Sequence, residues 1–183
     1  MAELKNNTSV AAILHNGDAR DPKVVIVKKK LRMSSNTSTE GPWRLLSETK
    51  EKGESDYVAL ERGLMEELNV SYMKSMSKML PNVKYPEMGY TFRYHLNGAE
   101  DTKNFVRVYV VGTTENAIKR IRPNLKELDG YMYTSPQQAF SRLSWDDEKM
   151  CVARFCDSKK YRVNDGMRKF LQLRKATYNN VRA

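Results

Sequence analysis

Apolar residues recur along this chain at two spacings, and the change from one to the other predicts where strands give way to helices. Ser9 to His15 (SVAAILH) and Lys23 to Val27 (KVVIV) are short aliphatic and β-branched runs. The turn-rich linker NGDARDP between them predicts a hairpin with a long loop. Beyond a polar stretch from Met33 to Pro42 the spacing lengthens. Tyr57, Leu60, Leu64 and Leu68 stand three or four residues apart, on one face of a helix from about Asp56 to Leu68. Its ends carry matching signals. Gly53 marks a turn, Ser55 suits an N-cap, Glu54 and Asp56 put negative charge at the positive end of the helix dipole, and Asn69 tolerates a left-handed C-cap.

Met73 to Met79 reads as a short helix or loop, broken by PNVKYP over Pro81 to Pro86. Alternation then returns. Met88 to Leu96 places Tyr90, Phe92 and Tyr94 on one face, and Asn104 to Gly112 sets Phe105, Arg107 and Tyr109 against Val106, Val108 and Val110. The polar linker NGAEDTK predicts that these two strands form a hairpin. Their aromatic stripe reads either as core packing or as a stacking platform for bases beside Lys and Arg. Asn116 to Arg122 is a short basic segment, Pro123 a breaker, and Lys126 to Thr134 a further strand. The remainder is helical: Ser135 to Leu143, then a helix to about Cys156 whose start at Ser144-Trp145-Asp146-Asp147 looks like a capping box. Asn164 or Asp165 caps a last helix, with Met167, Phe170, Leu171 and Leu173 inward and Arg168, Lys169, Arg174 and Lys175 outward.

Composition narrows the class. At 183 residues one domain with a substantial core is expected. No apolar run is long enough for a membrane helix, the opening MAELKNNTS reads as neither a signal peptide nor a presequence, and Cys151 and Cys156 form neither a disulfide framework nor a zinc pattern with His15 and His95. The expectation is a cytoplasmic protein. The net charge of +10 is uneven, since Cys151 to Ala183 carries nine Lys or Arg against two acids. Such a basic C-terminal region is the footprint of nucleic-acid binding or a solvated surface that aids solubility.

The chemistry sits on the helix from Asp56 to Leu68. Positions 63, 66 and 67 share a flank, and two of them are Glu66 and Glu67. Adjacent carboxylates of this kind suit a hard divalent ion such as Mg²⁺, which is bound by one or two carboxylates with waters and phosphates; the plain alternative is a solvated acidic face.

The whole stretch from Glu48 to Val70 resembles the Nudix box, G-x5-E-x7-R-E-U-x-E-E-x-G-U with U a bulky aliphatic. Glu54, Arg62, Leu64, Glu66, Glu67 and Val70 fall on its positions, and Trp43, Leu45, Glu51 and Gly53 extend the frame upstream. The chain departs from the pattern at Glu48 and Asn69, which stand for glycines, at Leu46 and Ser47, and at Gly63, which stands for the first Glu of the core. A helix-interior glycine costs about 1 kcal/mol relative to alanine, and this one also removes a carboxylate.

The resemblance implies an α+β fold, a Nudix-like α/β/α sandwich with a mixed sheet, over residues 1–145, with a basic helical extension over 146–183. It implies a Mg²⁺- or Mn²⁺-dependent hydrolase acting on a nucleoside-diphosphate-linked substrate, a nucleotide or an RNA 5′ end. On that basis Glu54, Arg62, Glu66, Glu67 and Glu127 are the candidate catalytic set, with Arg62 pairing with Glu54 to brace the helix against the loop, Glu66 and Glu67 the metal ligands, and Glu127 or Glu51 the replacement for the carboxylate missing at Gly63. The alternative is a non-catalytic Nudix-fold protein that binds RNA or a nucleotide through Lys28, Lys29, Lys30, Arg168, Lys169, Arg174 and Lys175. Nudix proteins are often dimers, so a homodimer is an expectation of the same kind; no membrane partner is expected.

Overall fold

The computed structural model describes residues 5–30, 41–69, 89–94 and 102–180, with side chains over 7–30, 41–69 and 104–173. Strand β1 (Lys5–His15) runs parallel to β6 (Thr102–Gly112) over its whole length, from Lys5 opposite Thr102 to His15 opposite Gly112. Every other pairing is antiparallel, so the seven-stranded sheet is mixed. On the other edge of β1, its middle pairs with β4 (Leu46–Thr49) and its end with β2 (Val24–Lys29), which closes the hairpin. β2 also pairs with β3 (Trp43–Arg44) and β7 (Leu128–Thr134), and β5 (Gly89–Tyr94) lies outside β6.

Alternation along the strands sorts their side chains onto two faces, each covered by helices. Ala11, Ile13, Val24, Ile26, Val106, Val108 and Val110 pack on one face beneath α3 (Pro136–Arg142), α4 (Asp146–Ser158) and α5 (Asp165–Asn180). Val10, Ala12, Leu14, Val25, Val27 and Val111 face the other way, against Ala59, Leu60, Leu64 and Leu68 of α1 (Asp56–Leu68) and Ile118 at the end of the short α2 (Glu115–Ile118). The result is the expected α/β/α sandwich. Among the described residues no helix is long and apolar enough to cross a membrane.

α1 has the expected bounds and caps. The Ser55 hydroxyl accepts from the Val58 amide at 3.2 Å, and Asn69 ends the helix in the left-handed conformation at φ 48°. Asn164 caps α5 by accepting from the Met167 amide at 2.9 Å. Two expectations need correction. The N-cap of α4 is Trp145, with no side-chain cap bond, because the Ser144 amide donates to the Trp43 carbonyl at 3.1 Å and the third helical residue, Glu148, turns into the core instead of back to the cap. Leu173 is 69% exposed, two residues past Leu171 and so turned away from the buried stripe of Met167 and Leu171. The segments Met73 to Met79 and Pro81 to Pro86, and the side chains of Tyr90, Phe92, Tyr94, Arg174 and Lys175, lie outside the described residues.

Candidate functional site

Between β4 and α1 the backbone turns through Gly53, whose φ of +82° is open to glycine at little cost. The helix that follows is fastened at its first residue. Asp56 accepts from Lys50 at 2.6 Å, Arg107 at 2.7 Å and Tyr109 at 2.5 Å, which ties α1 to β6. Burial works to raise its pKa, but these three bonds prevail and hold it at about 2. Burial and the same bond push the Tyr109 phenol up to about 12.

Nearly two turns further along the helix, Arg62 gathers three carboxylates. Its Nε and Nη2 donate to Glu54 at 3.0 Å each, Nη2 donates to the Thr49 carbonyl at 2.9 Å, and Nη1 lies 3.1 Å from Glu48 and 3.6 Å from Glu66. The Glu54 bonds raise the Arg62 pKa above its usual value; in return Arg62, with the Glu51 amide at 2.8 Å, holds Glu54 below the usual carboxylate range. The brace between helix and loop implied by the resemblance is thus present as a bidentate pair.

Glu48 and Gly63, read as separate departures, occupy one space. A Cβ added at Gly63 would lie 2.9 Å from the Glu48 Cβ and 3.3 Å from its Cγ, closer than such atoms pack. The Glu48 stem fills the volume left by the missing side chain, and its carboxylate is held by Arg62 and by the Thr49 amide at 3.0 Å.

Glu66 and Glu67 part company. Glu66 is 49% exposed and its nearest cation is Arg62; Glu67 is 1% exposed and its Oε1 is in direct contact with the Lys29 ammonium. Its other oxygen, Oε2, is buried with no hydrogen-bond partner among the described residues. Lys29 reaches it from the end of β2, where a bulge in the pairing with β7 falls between Lys28 and Lys29. Burial lowers the Lys29 pKa to about 8; Glu48 pulls it up, Arg44 pushes it down, and Glu127 and Glu148 pull it up again. At neutral pH it is an ammonium.

This donor set does not fit the divalent ion that the resemblance implies. The carboxylate of Glu67 is already neutralised by Lys29, Glu66 and Glu48 lean on Arg62, and position 63 has no side chain. Among the described residues no three metal-ligating side chains converge. Glu127 is half-buried, and its carbonyl accepts from the Lys30 amide at 3.0 Å.

The loop from α2 to β7 closes over this end of α1, with the Arg122 amide donating to Leu68 at 3.0 Å and the Asn124 amide to Glu67 at 2.7 Å. That loop brings exposed Arg122 and Lys126 beside the exposed Lys30, whose ammonium donates to the Leu125 carbonyl. Lys28 is half-buried. Arg168, paired with Asp165 at 3.0 Å, and the exposed Lys169 lie on α5, across the sheet from α1. The candidate nucleic-acid residues therefore occupy two separate surfaces.

On the α4 face a polar cleft of about 280 Å³ is lined by Ser9, Ser47, Thr49 and Asn104, with Arg44 and Glu48 among its walls. Ser9 and Asn104 bond to each other in the buried part, at 2.9 and 3.1 Å. Sequence reasoning did not single out Arg44, Arg122, Lys126 or Glu148, and read Lys29 as a candidate nucleic-acid-binding cation, not as the partner of Glu67. Strand parity held the signal for Lys29, which falls in step with Val25 and Val27, the residues that face α1.

No family model matches the chain, and no curated protein does. Solved structures do. The chain is similar to the Ap4A hydrolase of C. elegans in a binary complex (TM-score 0.56, 11% identity, covering 82% of this chain and 96% of that one). It is also similar to the MutT protein of Methanosarcina mazei Go1 (TM-score 0.56, 15% identity, 87% and 99% covered). The Nudix domain of Shewanella oneidensis NrtR, complexed with ADP ribose, gives a TM-score of 0.52 at 14% identity, with 86% and 89% covered. At these identities the likeness is one of fold: the chain has the Nudix fold.

Proposed function

We propose that this protein uses the Nudix fold to bind a phosphorylated nucleotide without metal-assisted hydrolysis. The observation that carries the reading is the Lys29–Glu67 pair, which puts a protein cation on the carboxylate that would otherwise recruit a divalent ion. Exposed Lys30, Arg122 and Lys126 beside the end of α1 supply cations for phosphates, and the separate cleft on the α4 face, lined by Ser9, Ser47, Thr49 and Asn104, offers hydroxyl and amide partners to a polar ligand. ADP ribose in the NrtR domain supports a nucleotide as the ligand class. The net charge of +10 extends the reading to an RNA 5′ end.

The test is binding and product analysis on one panel: ADP-ribose, dinucleoside polyphosphates, nucleoside triphosphates and capped or triphosphorylated RNA, with Mg²⁺ or Mn²⁺ present. The expected result is binding without products, weakened about tenfold by Lys30→Glu combined with Lys126→Glu, and for RNA a steep loss with salt. Turnover that Glu67→Gln abolishes would establish the second reading, a hydrolase. That reading draws on the intact Arg62–Glu54 brace and on the unpartnered Oε2 of Glu67.

A further inference from the structure

A buried carboxylate is costly unless a positive group and hydrogen bonds compensate it. Glu67 has half of that compensation: Oε1 has Lys29, while Oε2 is buried and points an unused acceptor into the same space. The compensation is also built in. Lys29 sits on a strand end whose backbone is fixed on both sides, its own amide donating to the Pro42 carbonyl at 3.2 Å and that of Lys30 to Glu127 at 3.0 Å. The backbone that carries Glu67 is fixed as well, since the Asn124 amide donates to the Glu67 carbonyl at 2.7 Å. Both side chains therefore start from fixed backbone positions that face each other.

We infer that Lys29 is a resident counter-cation which closes a latent divalent-cation site at Glu67, and that removing its ammonium opens that site. The inference rests on the reading of a metal-independent cleft and gives its cause. An ammonium and a hard divalent ion compete for the same oxygens, and an ion that must shed water gains little at a carboxylate whose charge is already cancelled. With the ammonium gone, Glu67 offers two oxygens, one of them without a partner among the described residues, in a pocket where an uncompensated negative charge favours any small cation.

The experiment is a Mn²⁺ titration of the full chain, read by the spin resonance of free Mn²⁺ and by the thermal unfolding midpoint. Four proteins are compared: wild type, Glu67→Gln, Lys29→Met, which keeps the apolar stem, and Lys29→Met with Glu67→Gln. Wild type and Glu67→Gln should bind Mn²⁺ equally weakly. Lys29→Met should gain a saturable site about tenfold tighter or more, with a midpoint that rises on adding Mn²⁺, and Glu67→Gln should erase both gains. Binding by wild type that Glu67→Gln removes would overturn the inference, as would a folded Lys29→Met with no new site. Should Lys29→Met fail to fold, Lys29→Gln takes its place in the same comparison, where a folded variant with no new site overturns the inference, as does a loss of wild-type binding on Glu67→Gln. None of these results depends on nucleotide, so the inference can fail while nucleotide binding without turnover stands, and the reverse.

Discussion

Two buried ion pairs, one on each face of the sheet, have opposite characters. Under α4, Glu148 is wholly buried with both oxygens used, Oε1 by Arg44 at 2.7 Å and Oε2 by the Leu45 amide at 3.1 Å, while the Arg44 guanidinium lies 4.5 Å from the centre of the Trp145 ring. Under α1, Glu67 is as deeply buried but has one oxygen unused, and its lysine is 26% exposed. The first is a finished strut between β3 and α4. The second keeps an acceptor in reserve, and a buried group left incomplete is where binding chemistry can be added.

Substitution should separate the two by a wide margin. Glu148→Gln leaves a guanidinium buried without its counter-charge and should lower stability by about 3 kcal/mol or more, whereas Glu67→Gln should cost about 1 kcal/mol, because the Lys29 stem can carry its ammonium to water. Urea midpoints of the two variants check this; equal losses would erase the contrast.

Acid should attack the α4 face first. His15 packs against Phe155 with ring centres 5.0 Å apart and planes tilted by 55°, and burial, helped by the charge of Lys159, lowers its pKa from 6.5 to about 4. The unfolded chain therefore binds a proton that the native state refuses between those values. Stability is complete above pH 6.5 and declines as the pH falls towards 4, by about 3 kcal/mol from this group. His15→Gln should flatten that limb of the stability profile, and the steep loss that remains, below about pH 4, should belong to Asp56, whose folded pKa is about 2.

The smallest effect probes the α1 face. Gly63→Ala should destabilise the protein, despite the better helix propensity of alanine, because its Cβ meets Glu48 at 2.9 Å. In a Glu48→Gly background the same change should stabilise by about 1 kcal/mol, a reversal of sign that a double-mutant cycle measures directly.

Local signals in the sequence were enough for α1. Ser55, the leucine spacing and Asn69 act within a few residues, and the helix begins and ends where they say. The hairpin of β1 and β2 and the pairing of β5 with β6 were legible for the same reason, since each joins near neighbours. The cap of α4 was misread because the Ser144 amide is taken by the Trp43 carbonyl on a distant strand, and the N-cap falls one residue later, at Trp145. Within the site, the relation of Arg62 to Glu54 was visible from the box, while the fit of Glu48 into Gly63 and the reach of Lys29 to Glu67 needed the register of β4 and β2 against α1. A pattern of residue types records that two carboxylates are adjacent; it does not record which cation reaches each.

The parallel pairing of β1 with β6 also sets a timetable for synthesis. β1 is made well before its central neighbour, which spans Thr102–Gly112, and the loop that shuts over Glu67 ends beyond residue 120. On the ribosome α1 can form from local contacts long before either arrives, with Leu60, Leu64 and Leu68 facing no finished sheet. A nascent chain halted before β6 should be a ligand for chaperones, and the Lys29–Glu67 contact should be among the last to close.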